Sequence, residues 1–329
     1  MKPIDFSSGD LVADRRADYA EMLSGNGDHA AAAELMRQAL SVAPNWAAGW
    51  HRLGEMLEAA GDAEAASAAW RECLRLDPAD RLGAVLKLAL AGQAAGIEAP
   101  PSAFVETLFD QYAGEFDAAL VERLDYRVPD LIAKALSELC AGPFGHVLDL
   151  GCGTGLMGER LRMRASFLEG LDLSAGMLGR AGAKRIYDRL GRADLQTWQG
   201  VPRHADLIVA ADVLLYVGAL ERLFGVVAVS LTPGGLFAFS VEAHDGPEPM
   251  VLRESRRFAH ARDHVVGVLD TSGLDLVSMA RAPIRMDRGS PVEGLIVVAR
   301  LPAEAAADML PEEPATVSMS GLGAESVPV

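Results

Sequence analysis

The sequence predicts an α/β domain built on a mostly parallel sheet, preceded by an all-α domain of helical repeats. Three observations carry that reading. An apolar run enters a glycine-rich turn at Val147-Leu148-Asp149-Leu150-Gly151-Cys152-Gly153-Thr154-Gly155. Short apolar runs alternate with amphipathic stretches from His146 to Arg300. Near the N-terminus the sequence repeats itself with a period of 34 residues. With 329 residues, half of them apolar, the chain is long enough for about two cores.

The repeat comes first along the chain. Gly27-Asp28 recurs as Gly61-Asp62, Ala32 as Ala66, and Pro44-Asn45 as Pro78-Ala79. A glycine ends the first helix of each unit, a small alanine lets the second helix pack closely, and a proline stops that second helix. The second copy, Ala47 to Asp80, carries Trp50, Leu53-Gly54, Leu57, Gly61, Ala66, Trp70 and Pro78, and it resembles a tetratricopeptide repeat (TPR). The first copy is more divergent, with Arg16 in place of Trp50 and Met36 in place of Trp70. A further helix from Arg81 to Ala94 is expected to cap the stack, because two repeats alone leave an apolar edge exposed.

Ile97-Glu98-Ala99-Pro100-Pro101-Ser102 has no periodicity and reads as a linker. The expected organisation is a repeat domain over 1–95, a linker over 96–104, the α/β domain over 105–300 and a tail over 301–329. A helical segment is expected from Phe104 to Ala141. The apolar runs that follow are His146 to Leu150, Phe167 to Leu171, Asp206 to Ala211, Leu236 to Val241, Leu274 to Met279 and Leu295 to Ala299. The tail holds five acids, no Lys or Arg, and many Ala, Pro and Ser, a composition expected to stay disordered.

Charge and cysteine content narrow the function classes. The net charge is −16, and no block of Lys or Arg is present to follow a phosphate backbone, so nucleic acid is not expected as a partner. Cys73, Cys140 and Cys152 form no C-x-x-C pair, which points away from a disulfide framework or a cysteine zinc site and toward a reducing cytoplasm. No apolar stretch reaches membrane-spanning length, so a soluble chain is expected. No metal ligand set is expected.

The glycine turn is where the chemistry concentrates. Glycines there let the backbone turn sharply and approach a ligand without a side chain intervening. The pattern is G-x-G-x-G, with Leu156 where a dinucleotide site places its third glycine, and Asp149 stands two residues before Gly151. That carboxylate would repel a pyrophosphate and attract the amino group of a sulfonium cofactor. Twenty-three residues on, Asp172 ends the next run, where an acid accepts hydrogen bonds from ribose hydroxyls.

With these motifs, residues 105 to 300 resemble a class I, Rossmann-like methyltransferase that uses S-adenosylmethionine (SAM). The whole chain resembles bacterial methyltransferases with N-terminal TPR repeats. Leu108 to Asp117, Leu124 to Pro129, Phe239 to Glu242 and Arg257 to His260 also look like that group. The resemblance implies that Tyr112, Asp149, Gly151, Cys152, Gly153, Thr154, Gly155, Asp172, Leu173, Met177, Asp194, Leu195 and Ala211 hold the cofactor. Candidates for the acceptor side are Tyr126, Tyr216, Glu242, His244, Arg257 and His260, with Arg257 suited to a substrate carboxylate.

Two functions fit this sequence. One is methyl transfer to a small metabolite or to a protein brought by the repeats; the other is a catalytically silent, SAM-binding scaffold. Counting repeat positions places Asp14, Glu21, Glu55 and Glu58 on the concave face of the stack, together with Ala17, Ser24, Ala48 and His51. With no Lys or Arg among these eight positions, the groove is expected to attract a basic protein segment.

Overall fold

The computed structural model describes residues 7–94, 96–114, 125–140, 142–287 and 289–303. Four helices form two antiparallel pairs: α1 (Leu11–Gly25) with α2 (His29–Val42), and α3 (Ala47–Ala59) with α4 (Ala63–Leu76). The two pairs use the same local devices 34 residues apart. Gly27 and Gly61 turn the chain at φ of 84° and 85°. Asp28 and Asp62 then cap the second helices, accepting from the backbone N–H of Ala31 and Ala65 at 3.1 Å each. Ala32 and Ala66 are fully buried between helices. Trp70 closes over Gly54, where an added Cβ would lie 2.2 Å from the indole nitrogen.

The capping helix α5 (Ala84–Leu90) is shorter than the expected Arg81 to Ala94. Gly83 sits in the left-handed region at φ 72°, and the Asp80 carboxylate accepts from Ala84 and Val85 backbone N–H, so the helix starts there. In the stretch expected to be helical from Phe104 to Ala141 lie α6 (Ser102–Tyr112) and α7 (Val128–Leu139). Residues 115–124 and 141 of that stretch, and 304–329 of the expected disordered tail, lie outside the described residues.

The expected apolar runs fall on strands β1 (Phe144–Leu150), β2 (Ala165–Asp172), β4 (Ala205–Ala210), β5 (Leu231–His244), β8 (Asp275–Asp287) and β9 (Ser290–Arg300). Three strands lack such a run. β3 (Arg189–Arg192) reads Arg-Leu-Gly-Arg at the sheet edge, and β6 (Met250–Leu252) with β7 (Phe258–Ala261) forms a short antiparallel hairpin. The nine-stranded sheet runs β3-β2-β1-β4-β5 in parallel, and β7 extends β5 in parallel beyond Glu242. β9 is antiparallel to β5, and β8 to β9.

Strands buried on both faces explain the near-continuous apolar runs. Leu148, Ile208, Phe237 and Phe239 face α10 (Glu221–Ser230) and α11 (Arg262–Thr271). Val147, Leu207 and Val209 face α7 and α8 (Leu156–Leu161). Between β1 and β4 the strand order reverses, opening a crevice at the carboxyl ends of the parallel strands. Among the described residues, no helix is long and apolar enough to cross a membrane.

The acids expected on the concave face of the repeats have ion-pair or hydrogen-bond partners within the chain. Arg52 pairs with Glu21 at 2.5 Å and Glu55 at 2.9 Å, and Lys87 pairs with Glu58. Asp14 accepts from Ser7 and Ser8. Arg52 lies on α3 beside a counted position, and Lys87 comes from the capping helix α5, which a count within the repeats leaves out.

Candidate active site

The crevice forms where four successive strands end. Gly151 and Gly153 sit at φ 65° and 54°, and an added Cβ on Gly151 would lie 2.3 Å from the Val213 side chain. At Gly151 the loop has no room for a side chain. Asp172 braces it: one carboxylate oxygen accepts from Gly153 N–H and the other from Ser174 N–H, both at 2.8 Å. Burial pushes the Asp172 carboxyl up, against the lowering effect of these backbone bonds. Gly151, Cys152, Gly153, Thr154, Asp172, Leu173, Asp194, Leu195 and Ala211 all line the pocket.

Asp149 lies behind the loop and is fully buried. One carboxylate oxygen accepts from the Tyr187 hydroxyl at 2.6 Å, while Oδ1 has no partner among the described residues. Burial pushes this carboxyl up to about 7, Tyr187 opposes the shift, and the charge of Asp172 adds to it. A buried carboxylate oxygen without a donor is costly and marks a place for one. The Cys152 thiol is also pushed well up by burial and by these two acids, so it stays protonated.

Helix α6 roofs the pocket. Val105 and Phe109 face inward, and Phe109 meets Tyr216 edge-on at 5.0 Å between ring centres. Asp110 pins the helix by accepting from Ser174 Oγ at 2.5 Å and Gly176 N–H at 3.1 Å. Ser102 Oγ donates to Asp194 at 2.7 Å. Tyr112 is 56% exposed and does not line the pocket: the inward stride of four runs through Val105, Phe109 and the buried Ala113. Met177 is fully buried in the first turn of α9 (Ala175–Lys184), outside the pocket lining, and its backbone N–H donates to the capping Ser174 Oγ. Gly155 starts α8 at φ 95° and is likewise off the pocket wall.

The opposite wall holds Tyr126, Asp212, Tyr216, Arg257 and Arg285. Arg285, 3% exposed, donates to both Asp212 oxygens at 2.7 and 3.0 Å and also pairs with Glu242. Arg257 Nε donates to Tyr216 Oη at 2.9 Å. The Nη side of Arg257 has, among the described residues, a 3.9 Å approach to Asp287. Burial and the nearby Asp212 hold the Tyr126 phenol well above its ordinary value, so it keeps its proton.

The remaining acceptor-side candidates lie elsewhere, because β5 continues as a strand through His244. Glu242 is buried behind the wall, where burial raises its carboxyl against the pull of Arg285. His244 faces a separate cleft and contacts Glu248 at 3.1 Å. His260 is fully buried on β7 against His264, and burial brings it down to about 3. Sequence reasoning missed Val105, Phe109 and Arg285. The signal for Arg285 was a lone charge between Ile284 and Met286, and for Val105 and Phe109 the apolar stride of α6.

The comparisons with known proteins agree with this geometry. The methyltransferase-domain family matches residues 120–273, and the tetratricopeptide-repeat family matches residues 47–80. Trans-aconitate 2-methyltransferase from Paracidovorax citrulli is 30% identical over 155 residues, covering 46% of this chain and 60% of its own length. The enzyme of the same name from Deinococcus radiodurans is 36% identical over 107 residues, covering 31% and 40%. The chain thus spans about half the length of the curated relatives it matches. Among solved structures, a SAM-dependent methyltransferase from Mesorhizobium loti aligns at 26% identity over 51% of this chain and 96% of its own, with a TM-score of 0.41. The glycine turn and the braced acid thus lie within the stretch that resembles the methyltransferase-domain family, and a segment that resembles the tetratricopeptide-repeat family precedes it.

Proposed function

We propose that the protein transfers a methyl group from SAM to a small acceptor bearing a carboxylate, bound under α6 between Tyr126, Tyr216 and Arg257. The residues present fit the cofactor. Asp149 Oδ1 is a buried acceptor waiting for a cationic donor, the glycine loop leaves its backbone open, and Asp172 and Asp194 offer carboxylates at the ends of successive strands. When bound, the cofactor supplies an electrophilic methyl on a sulfonium. The protein then has to hold the acceptor in line and exclude water, which is the task of the α6 roof.

The observation that favours a carboxylate acceptor is how the pocket's own ionisable groups are engaged. Asp212 is held by Arg285, Asp194 by Ser102 and the Gln196 backbone N–H, and Asp172 by two backbone N–H groups. Tyr126 keeps its proton. None of these is poised to take a proton from an amine or phenol, and a carboxylate, already ionised at neutral pH, needs none taken. The Nη face of Arg257 matches a carboxylate in charge and shape. The names of the trans-aconitate relatives point to the same acceptor class. A basic segment entering the repeat groove would have to displace Arg52 and Lys87, so a small molecule is the favoured acceptor.

The test is S-adenosylhomocysteine formation with panels of small carboxylates, amines and phenols. Carboxylates should turn over, giving base-labile methyl esters, and Arg257→Gln should lower kcat/KM for them by about 100-fold with SAM affinity retained. Turnover of amines or phenols alone would overturn the acceptor class. SAM binding without turnover of any panel member would instead support the scaffold function.

A further inference from the structure

At the end of the sheet opposite the glycine loop, one buried carboxylate is shared by two imidazoles. Glu169 on β2 is 5% exposed, and its Oε2 lies 3.2 Å from His146 Nε2 and 3.0 Å from His204 Nε2. One nitrogen from each ring and this carboxylate's oxygen all lie within 4.8 Å of one another. The frame is rigid. His146 and Glu169 share the sheet face that carries Leu148, because Leu148 pairs with Glu169 in register between β1 and β2. Asp206 holds the chain at His146, accepting from the Gly145 and His146 backbone N–H at 2.7 and 2.6 Å. His204 is fixed where it enters β4, its backbone N–H donating to Ser230 O at 2.8 Å. On the far side of the carboxylate, Arg189 Nε approaches Oε1 at 3.3 Å and leaves Oε2 turned toward the two rings.

We propose that His146, His204 and Glu169 form a zinc site with two imidazole nitrogens and one carboxylate oxygen, leaving a fourth position for water. Nitrogen and oxygen donors about 2.0 to 2.1 Å from a tetrahedral zinc lie about 3.3 Å apart, close to the two N···O separations here, so small ring rotations suffice to admit the ion. Imidazole donors favour zinc and its transition-metal neighbours over magnesium or calcium, which prefer all-oxygen sites. Arg189 and Asp206 act as the outer partners that orient the ligands. The site joins the amino-terminal half of β1, the middle of β2 and the entry to β4, and none of its three ligands lines the pocket at the carboxyl ends. That separation keeps it out of methyl transfer; with three protein ligands it is not the closed set of a structural zinc, but by tying three segments together a bound ion would raise stability.

The experiment uses the full chain, stripped with a chelator and titrated with zinc chloride against a chromophoric competitor. One zinc per chain should bind, its affinity should fall at least tenfold in both His204→Gln and Glu169→Gln, and Tm should rise with zinc in the parent only. Circular dichroism and SAM affinity, which the proposal leaves unchanged in His204→Gln, establish that the variant is folded. Millimolar magnesium or calcium should not displace the zinc. Equal zinc affinity in the folded variants, or no zinc-dependent change in Tm, would overturn the site and leave the cluster as a hydrogen-bonded ion pair.

Discussion

Asp149 shows how one buried atom sets a conflict between stability and binding. Its carboxyl titrates near 3.8 ordinarily and near 7 in the folded chain, chiefly through burial. Between those values the folded chain keeps a proton that the unfolded chain has released, so this group's contribution to stability falls as pH rises and is lowest above about 7. Asp149→Asn removes that penalty. Thermal unfolding should show the ligand-free variant more stable than the parent at pH 8, by roughly 1 to 4 kcal/mol, with the difference vanishing toward pH 4. Its SAM affinity should fall, because a neutral amide replaces the acceptor of a cationic donor. Asp172→Ala has a different signature, since it removes both a ligand acceptor and the brace on Gly153. Calorimetry should show affinity lowered by about 1.5 to 3 kcal/mol in a folded protein. Unchanged affinity would remove Asp172 from the cofactor site.

At the scale of elements, α6 decides access to the pocket. It follows the linker rather than the sheet, and contacts along its length seat it, among them Ser102 on Asp194, Glu106 on Arg192, Phe109 on Tyr216, and Asp110 on the first turn of α9. Asp110→Ala removes the acceptor of two hydrogen bonds, so amide exchange in α6 should quicken and KM for the acceptor should rise about tenfold, while the sheet core keeps its protection. Unchanged exchange across residues 102 to 112 would mean that the remaining contacts, Ser102 on Asp194 and Glu106 on Arg192 among them, hold the roof without Asp110. The two repeats make the same point in reverse. Their caps, glycine turns and buried alanines are local and recur at the same spacing, and the structure repeats with them.

Across the whole molecule, the repeats and the α/β sheet meet through the linker and the β6–β7 hairpin. Arg256 donates to Leu82 O at 3.2 Å and lies 4.9 Å over the Phe104 ring, while Ala219 N–H donates to Glu98 O at 2.7 Å. Gly218 makes that last approach possible: it sits at φ 78°, and an added Cβ would lie 1.9 Å from Glu98 O. Gly218→Val should cost about 2 to 4 kcal/mol and lower Tm, through both the strained backbone and the displaced linker. Because the linker leads directly into α6, the same variant should weaken acceptor binding more than cofactor binding. Equal loss of both in kinetic assays would show that the linker does not position the roof.

The sequence by itself determined the repeat register, the six principal strands and the glycine turn with its two acids, because each is written in a local signal: a fixed period, an apolar run, or a spacing of glycines. It placed Glu242 and His244 after a strand that in fact continues through both, since nothing in the local pattern marks where β5 stops. Tertiary structure alone decided the pairings. Arg285 reaches Asp212 across 73 residues, Arg52 and Lys87 pair with three acids of a face that looked uncompensated, and His146, Glu169 and His204 converge from three segments. Such contacts are fixed by strand register and by which helix covers which face. A charged side chain carries no periodic mark of its partner, so its role emerges only when the fold brings the two together.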